Sequence, residues 1–240
     1  PDNKLQAALA ESWEASADAK TWRFKIRKGV TFSDGKELTV EDCVNSTLVH
    51  MGEKTESAAA GVFSGISSCT ADGDSMVVTL NNANADMPFL FTDYHYSIVP
   101  TVDGKADLHS TQGTGAYFLR EFDPGVKTVF EKNPDAWEAE TAGWADSVEI
   151  IAVLDDTARQ SALISGTVDI INKPALKTIS RLENMPGMNI VAVPSNLAFT
   201  HPMRMDVAPF DNVDFRLALK YSTPRQEFID KILFGYGVRG

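Results

Sequence analysis

The sequence predicts an α/β protein, because segments typical of strands and helices alternate in its second half. A nearly continuous apolar run at Val148–Leu154 is typical of a strand buried on both faces of a sheet. A helix follows over Asp155–Gly166, where the carboxylates suit the N-terminal end and glycine suits the C-terminal end. Short strands at 168–171 and 189–193 flank a second helix that begins near Pro174. This order of elements is typical of α/β folds.

The first half also contains predictable elements. Apolar and basic residues alternate over 22–27, which predicts a strand with one buried face. Thr39 is the expected N-cap of a helix, with Asp42 three residues on as a weak capping box. A strand is expected at 76–80. Two strands within 116–132 are expected to form a hairpin that turns at an Asp-Pro-Gly sequence.

Composition and charge exclude several classes of protein. The chain has 240 residues, with 22 Lys and Arg against 33 Asp and Glu, which gives a net charge of −11. This balance argues against binding to nucleic acid or to anionic lipid, both of which need basic surfaces. A hydrophobic content of 43% is ordinary for a globular protein. No apolar run is long enough to span a bilayer, and residues 1–4 show no signal-peptide pattern, so Pro1 suggests a processed or trimmed product.

The motifs of an enzyme are missing from the sequence. Gly113-Thr114-Gly115 lacks the third glycine of a dinucleotide-binding loop, since Phe118 holds that position, and a turn that enters a strand explains it better. There is no nucleophile elbow, P-loop or His-Glu-x-x-His sequence. The histidines have no ligand spacing: His50, His95, His109 and His201. We therefore expect no catalytic residues, no cofactor and no metal, and we favour a binding protein over an enzyme.

Two cysteines are too few for a disulfide framework. Cys43 and Cys69 lack the spacing of a Cys-x-x-Cys motif, so composition alone leaves open one bridge or two buried thiols.

Eight segments resemble, in order and spacing, the motifs of one family. They are Leu9-Ala10-Glu11-Ser12-Trp13-Glu14, Trp22–Gly29, Phe32-Ser33-Asp34-Gly35, Thr39–Cys43, Gly113-Thr114-Gly115-Ala116-Tyr117, Glu131–Trp137, Ser165-Gly166-Thr167-Val168-Asp169 and Pro209–Leu219. The family is that of the family 5 extracellular solute-binding proteins of bacterial ABC importers, relatives of oligopeptide-, dipeptide- and nickel-binding proteins. The similarity runs from residue 5 to the end of the chain.

The resemblance implies an α/β, periplasmic-binding-protein-like fold of type II, with mixed-sheet lobes and an extra small domain. Family members are about twice as long, so the resemblance implies a partial chain. It assigns residues 1–100 to the extra small α+β domain and 101–194 to part of the first ligand-binding lobe. Residues 195–240 then contain the hinge crossing and the start of the second lobe. Such proteins close over a ligand by hinge motion.

The resemblance also implies a ligand site at the ends of two strands, in line with the position of clefts in α/β sheets. Its expected residues are Ile171, Asn172, Lys173, Ser195, Thr200, His201, Pro202 and Arg204. Alternatives remain for several of them. Asn172 could be a loop residue whose hydrogen bonds are made within the protein, and His201-Pro202 could shape the hinge. Arg204 could grip a ligand carboxylate, or pair with Asp206 or another acid; the second interpretation is favoured. Where this chain has Phe199–Pro202 and Arg204, many relatives have a tyrosine-rich stretch and Asn.

The function implied by the resemblance is that of a substrate-binding subunit of an ABC importer, which captures a peptide or similar small solute and delivers it to the membrane permease. We expect an exported, periplasmic monomer with no nucleic-acid partner. The alternative is a sensory or chaperone-like binding protein on the same fold. Export to an oxidising compartment also leads us to expect a disulfide between Cys43 and Cys69, against the alternative of two reduced thiols.

Overall fold

The computed structural model describes residues 4–53, 55–193 and 199–239. Contacts divide the chain into two compact units, an N-terminal unit of residues 4–152 and a C-terminal unit that begins at Val153. The boundary falls inside the stretch predicted as the first lobe, 101–194. The division into 1–100, 101–194 and 195–240 stays a prediction about the whole protein.

The N-terminal unit contains nine strands and three helices among its described residues. The strands are β1 (Ala10–Ala15), β2 (Thr21–Ile26), β3 (Ile66–Asp72), β4 (Ser75–Leu80), β5 (Thr101–Val102), β6 (Lys105–Ala106), β7 (Tyr117–Asp123), β8 (Lys127–Lys132) and β9 (Ser147–Ile151). The helices are α1 (Val40–Leu48), α2 (Ala60–Phe63) and α3 (Met87–Leu90). The predicted strands at 22–27 and 76–80 and the predicted hairpin at 116–132 are confirmed as β2, β4 and β7–β8.

A four-stranded antiparallel sheet, in the order β1-β2-β4-β3, carries the main core. Alternation places Trp22, Phe24 and Ile26 on its inner face, where all three are buried. Trp22 pairs with Val78 in β4, and Phe24 pairs with Met76, so one face receives an unbroken apolar layer. Helix α1 packs on this face against β3 and β4.

The paired glycines at 113–115 lead into a strand, as predicted. The backbone N–H of Ser33, in the turn after β2, donates to the carbonyl of Gly113 at 2.9 Å. Ser33 Oγ also lies 2.6 Å from Oε1 of Gln112. Strand β7 begins at Tyr117. The glycine segment is therefore a docking point for the turn at Ser33, and it does not open a helix.

Asp42 is buried, with 1% of its surface exposed, and it joins three segments of the N-terminal unit. It completes the predicted capping box, because its Oδ2 accepts from the backbone N–H of Thr39 at 2.8 Å while Thr39 Oγ1 accepts from Asp42 N. Its Oδ1 accepts from the backbone N–H of Thr101 at 2.6 Å and lies 4.0 Å from Nζ of Lys36. Burial alone raises the pKa of Asp42, but these hydrogen bonds outweigh burial, and the pKa lies below its ordinary value of 3.8.

Replacement of Asp42 by Ala is expected to lower the free energy of unfolding of the N-terminal unit by about 2–3 kcal/mol, because it removes the cap and leaves the N–H of Thr101 unpaired. Glu41→Ala, at the exposed neighbouring position of the same helix, is the matched control and should have little effect. Urea unfolding measures both. Since folding lowers the pKa of Asp42, its contribution is present above about pH 3.8 and is lost as the pH falls through the folded-state pKa. Equal destabilisation by the two variants would contradict this role.

The cysteines correct one expectation: Cys43 and Cys69 are free, buried thiols, and no disulfide joins them. Cys43 lies on the buried face of α1, and Cys69 is an inward-facing residue of β3, where it pairs with Val78. Both fill core space as small apolar groups. Burial raises the pKa of Cys43 to about 12 and that of Cys69 to about 11, which keeps both thiols protonated near neutral pH.

Both thiols are therefore expected to resist Ellman's reagent in the folded protein and to react fully in denaturant. Their pKa values are raised above the ordinary value of 9.0, so their contribution to stability is complete below pH 9 and is lost as the pH rises toward 11–12. Alkaline unfolding titrations measure that loss. Recovery of no thiol in denaturant without reductant would contradict the free state of these cysteines.

A separate three-stranded antiparallel sheet, in the order β7-β8-β9, lies at the end of the N-terminal unit. One face is charged, since Lys127 Nζ lies 3.1 Å from a carboxylate oxygen of Glu121 and 4.0 Å from one of Glu149. The other face contains the apolar side chains of Phe122 and Ile150, in one row across the sheet. The predicted burial of 148–154 on both faces is wrong for this structure. β9 is an antiparallel edge strand, and 57% of Ile150 is exposed.

The C-terminal unit contains four helices among its described residues: α4 (Asp156–Ile164), α5 (Leu176–Glu183), α6 (Val213–Ser222) and α7 (Arg225–Lys231). Its small core includes Ile179, Leu182 and Ile229. The strands predicted at 168–171 and 189–193 do not form. A β-branched segment becomes a strand only where another strand pairs with it, and neither segment has such a partner among the described residues. Within those residues, no helix is both long and apolar enough to cross a membrane.

Candidate functional site

Residues 171–173, the first part of the predicted site, lie in the connection between α4 and α5. Ile171 is half-buried, whereas Asn172 and Lys173 are exposed. Because the strand predicted at 168–171 is not formed, these residues do not follow a strand end as expected. Lys173 has a φ of 45°, in the left-handed region that favours glycine, and it immediately precedes Pro174. The backbone therefore makes a sharp bend at this point before α5 begins.

Residues 199–204, the second part of the predicted site, lie in an irregular segment before α6. Thr200, His201, Pro202 and Arg204 are all exposed, and none belongs to a helix or strand. Ser195 lies outside the described residues. Between the described residues, no hydrogen bond connects the 199–204 segment to the 171–173 segment. The structure therefore places both segments in the C-terminal unit without joining them.

Arg204 forms a bidentate ion pair with Asp206. Its Nη2 donates to Oδ2 at 2.6 Å and its Nε donates to Oδ1 at 3.2 Å. Hydrogen bonds from the guanidinium hold the pKa of Asp206 below its ordinary value, and the same contact raises the pKa of Arg204. The Arg204 side chain is 76% exposed, so water screens the attraction. The Nε and Nη2 donors of the guanidinium are thus already engaged with a carboxylate of the chain.

Arg159 is a residue that the sequence analysis did not single out. Its Nη1 donates to the carbonyls of Val153 at 2.8 Å and Leu154 at 3.1 Å, and its Nη2 donates to Asp156 in the first turn of α4. Its Nε is buried and has no partner among the described residues. Arg159 therefore fixes the chain that enters α4. Its position three residues after Asp156, on the same helix, was the available signal.

The described side chains of the two segments offer hydrogen bonds and charge. Among residues 4–53, 55–193 and 199–239, no group of three or more His, Cys, Asp or Glu side chains could hold a metal ion. Two open depressions of the surface belong to the N-terminal unit, and neither is lined by a residue of the predicted site. One is lined by residues 134–141, and the other lies between α1 and the β5–β6 hairpin.

Sequence comparison decides the family. The family described as "Bacterial extracellular solute-binding proteins, family 5 Middle" matches residues 4–240. The chain belongs to this family. Heme-binding protein A of Haemophilus influenzae is 25% identical over 263 residues, which cover 97% of this chain and 47% of that protein. The probable D,D-dipeptide-binding periplasmic protein DdpA of Escherichia coli is 26% identical over 244 residues, which cover 97% of this chain and 46% of that protein.

Solved structures show the same fold. The dipeptide-binding protein of Pseudoalteromonas sp. SM9913, in complex with Met-Leu, matches with a TM-score of 0.77 at 21% identity. That match covers 100% of this chain and 52% of the other. The fold is therefore that of the type II periplasmic binding proteins, as predicted. The chain spans about half the length of the curated relatives that it matches.

The exposed ion pair leads to an expectation about local stability. Arg204→Ala should leave hydrogen exchange in α6 unchanged, because a screened pair contributes little. Asn212→Ala should increase it about fivefold, because Asn212 Oδ1 caps α6 by accepting from the N–H groups of Asp214 and Phe215 at 2.8 and 3.3 Å. Mass spectrometry of peptides from 213–222 measures both variants. A loss of protection in Arg204→Ala would show that the pair does stabilise this segment.

Proposed function

We propose that the protein to which this chain belongs is the substrate-binding subunit of an ABC importer. It captures a peptide or similar small solute in a cleft between two lobes and delivers that solute to the membrane permease. The observation that carries the proposal is the family match over residues 4–240. Structural similarity to a dipeptide-binding protein in complex with Met-Leu supports the choice of a peptide.

The proposed pocket includes the 171–173 segment and residues 195, 200–202 and 204. The described members offer an amide, an ammonium, a hydroxyl and an imidazole to solvent. These groups can bind a polar solute by hydrogen bonds, which is what a reversible carrier requires. In such a protein, ligand affinity reflects how far the ligand stabilises the closed form over the open form. A tight-binding carrier therefore needs lobes that close, and it needs no nucleophile.

Export to the periplasm and a monomeric state belong to the same proposal. The E. coli relative is described as periplasmic, and a carrier that diffuses between solute and permease functions as a single chain. The net charge of −11 suits neither nucleic acid nor anionic lipid, so the proposed macromolecular partner is the permease.

Isothermal titration calorimetry against a library of di- to pentapeptides tests the proposal. A protein with the full length of the family is expected to bind at least one peptide with submicromolar Kd. Residues 1–240 alone are expected to give no measurable heat, because a ligand held by one side of a cleft stays hydrated. Submicromolar binding by residues 1–240 would refute the cleft mechanism. Failure of the full-length protein to bind any peptide would refute peptide as the ligand.

A matched pair of variants locates the site in the full-length protein. Asn172→Ala is expected to weaken binding of the selected peptide by about tenfold, the effect of losing one or two hydrogen bonds. Asn82→Ala, at an exposed position of the N-terminal unit, is the control and should bind as the parent does. If both variants bind the peptide with equal affinity, Asn172 does not contribute to the pocket.

A further inference from the structure

His50 is a buried imidazole that the proposed ligand site does not use. It follows α1 and exposes 7% of its surface. Its ring stacks on that of Phe63, with centroids 4.9 Å apart and planes 24° apart. The ring of Tyr96 lies 5.7 Å away, and Phe91 contacts both aromatic neighbours of His50, at 5.8 Å from Phe63 and 4.9 Å from Tyr96. We call Phe63, Phe91 and Tyr96 the aromatic cluster. His50 packs against it as a fourth ring.

Polar contacts join this imidazole to the chain that leads into α2. His50 Nδ1 lies 2.6 Å from Ser57 Oγ, which also accepts from the backbone N–H of Ala59 at 3.0 Å. Nearby, Thr55 Oγ1 donates to the carbonyl of Val49 at 2.6 Å. Ala59 and Phe63 are fully buried in the core of the N-terminal unit, so packing holds the later part of this stretch. Residues 55–58 have no such anchor in the core, and their position depends on the polar contacts of Thr55 and Ser57, one of which is made by His50.

Two charged groups face His50, and both come from the turn after α3. The carboxylate of Asp93 favours a protonated imidazole, whereas His95 disfavours it. Asp93 is itself engaged with His95, whose Nδ1 lies 2.8 Å from Asp93 Oδ1. The other packed elements present neutral groups: the hydroxyl of Ser57 and the rings of Phe63 and Tyr96. Burial is the largest influence, and it lowers the pKa of His50 below the ordinary 6.5.

We propose that His50 is an acid-sensitive latch for residues 55–58. In its neutral form the imidazole holds this segment against the end of α1 through Ser57. Proton uptake releases the segment while the four-stranded sheet stays folded. The device is independent of the proposed transport function, because it rests on contacts within the N-terminal unit alone.

Proton linkage gives the direction and the pH range of the effect. When the segment opens, the imidazole reaches water and takes up a proton more readily than it does in the closed form. The closed form is therefore fully stabilised above about pH 6.5 and loses stability as the pH falls from there toward the lower pKa of the buried ring. Within that range, the opening constant rises by up to about tenfold per pH unit.

Two measurements on the intact chain test the latch. In an NMR titration from pH 8 to pH 4.5, the ring signals of His50 should titrate below pH 6.5, because burial lowers the pKa of this imidazole. In hydrogen exchange, corrected for the intrinsic effect of pH, the amides of residues 55–58 should lose at least about threefold protection between pH 7 and pH 5. Peptides from β2 should lose none.

Two variants distinguish the effect of His50 from that of His95. In His50→Gln, a side chain that cannot be protonated should make exchange in residues 55–58 independent of pH. In His95→Gln, the pH dependence should remain. Dependence that survives in His50→Gln, or disappears only in His95→Gln, would overturn the proposal. If His50→Gln does not fold, the titration of the unmodified chain decides, because a pKa for His50 at or above the ordinary 6.5 also overturns it.

Discussion

The N-terminal unit depends on one buried carboxylate. Asp42 accepts hydrogen bonds at both oxygens, from Thr39 at the start of α1 and from Thr101 at the start of β5. A buried charge is costly unless such partners surround it, so the ion can exist only if α1, the Lys36 turn and β5 are all in place. Lys36 strengthens this coupling, because its Nζ approaches Asp42 and donates to the carbonyl of Thr101 at 2.9 Å. The carboxylate therefore specifies how three segments distant in sequence assemble.

The two units differ sharply in how much apolar surface they bury. The N-terminal unit contains a contiguous core built on β2, β4 and α1, which includes Phe24, Val78 and Phe63. In the C-terminal unit, α6 buries no residue, and its apolar side chains, Tyr221 among them, are exposed on several sides. A helix with apolar side chains all round is typical of one that is covered in its complete protein. This agrees with a chain that spans about half the length of its relatives.

Sequence patterns predicted the N-terminal unit better than the C-terminal unit, and the reason is physical. The alternation of apolar and basic residues at 22–27 indicates local burial, and the cap at Thr39 indicates local hydrogen bonds. Both signals depend on neighbouring residues, so β2 and α1 could be predicted. The apolar run at 148–154 reports only hydrophobicity, and its partners depend on distant residues, so the structure shows an exposed edge where burial was expected. The same limit applies to the thiols: an oxidising compartment permits a bridge, but pairing also depends on the distance and orientation of two side chains in the fold, and Cys43 and Cys69 are free, buried thiols.

The candidate site was predictable only through its family resemblance, since no single residue in 171–173 or 199–204 has a chemical signature of its own. Its geometry nevertheless constrains the proposed ligand. Asp206 occupies the Nε and Nη2 side of the Arg204 guanidinium, and because it is two residues away it is always present at high effective concentration. A ligand carboxylate can displace Asp206 or use the N–H groups that this pair leaves, and in either case the nearby Asp206 carboxylate offsets part of the attraction. Selectivity in the proposed cleft then rests more on its other hydrogen-bonding groups, such as the amide of Asn172 and the ammonium of Lys173, and on the exclusion of water when the lobes close.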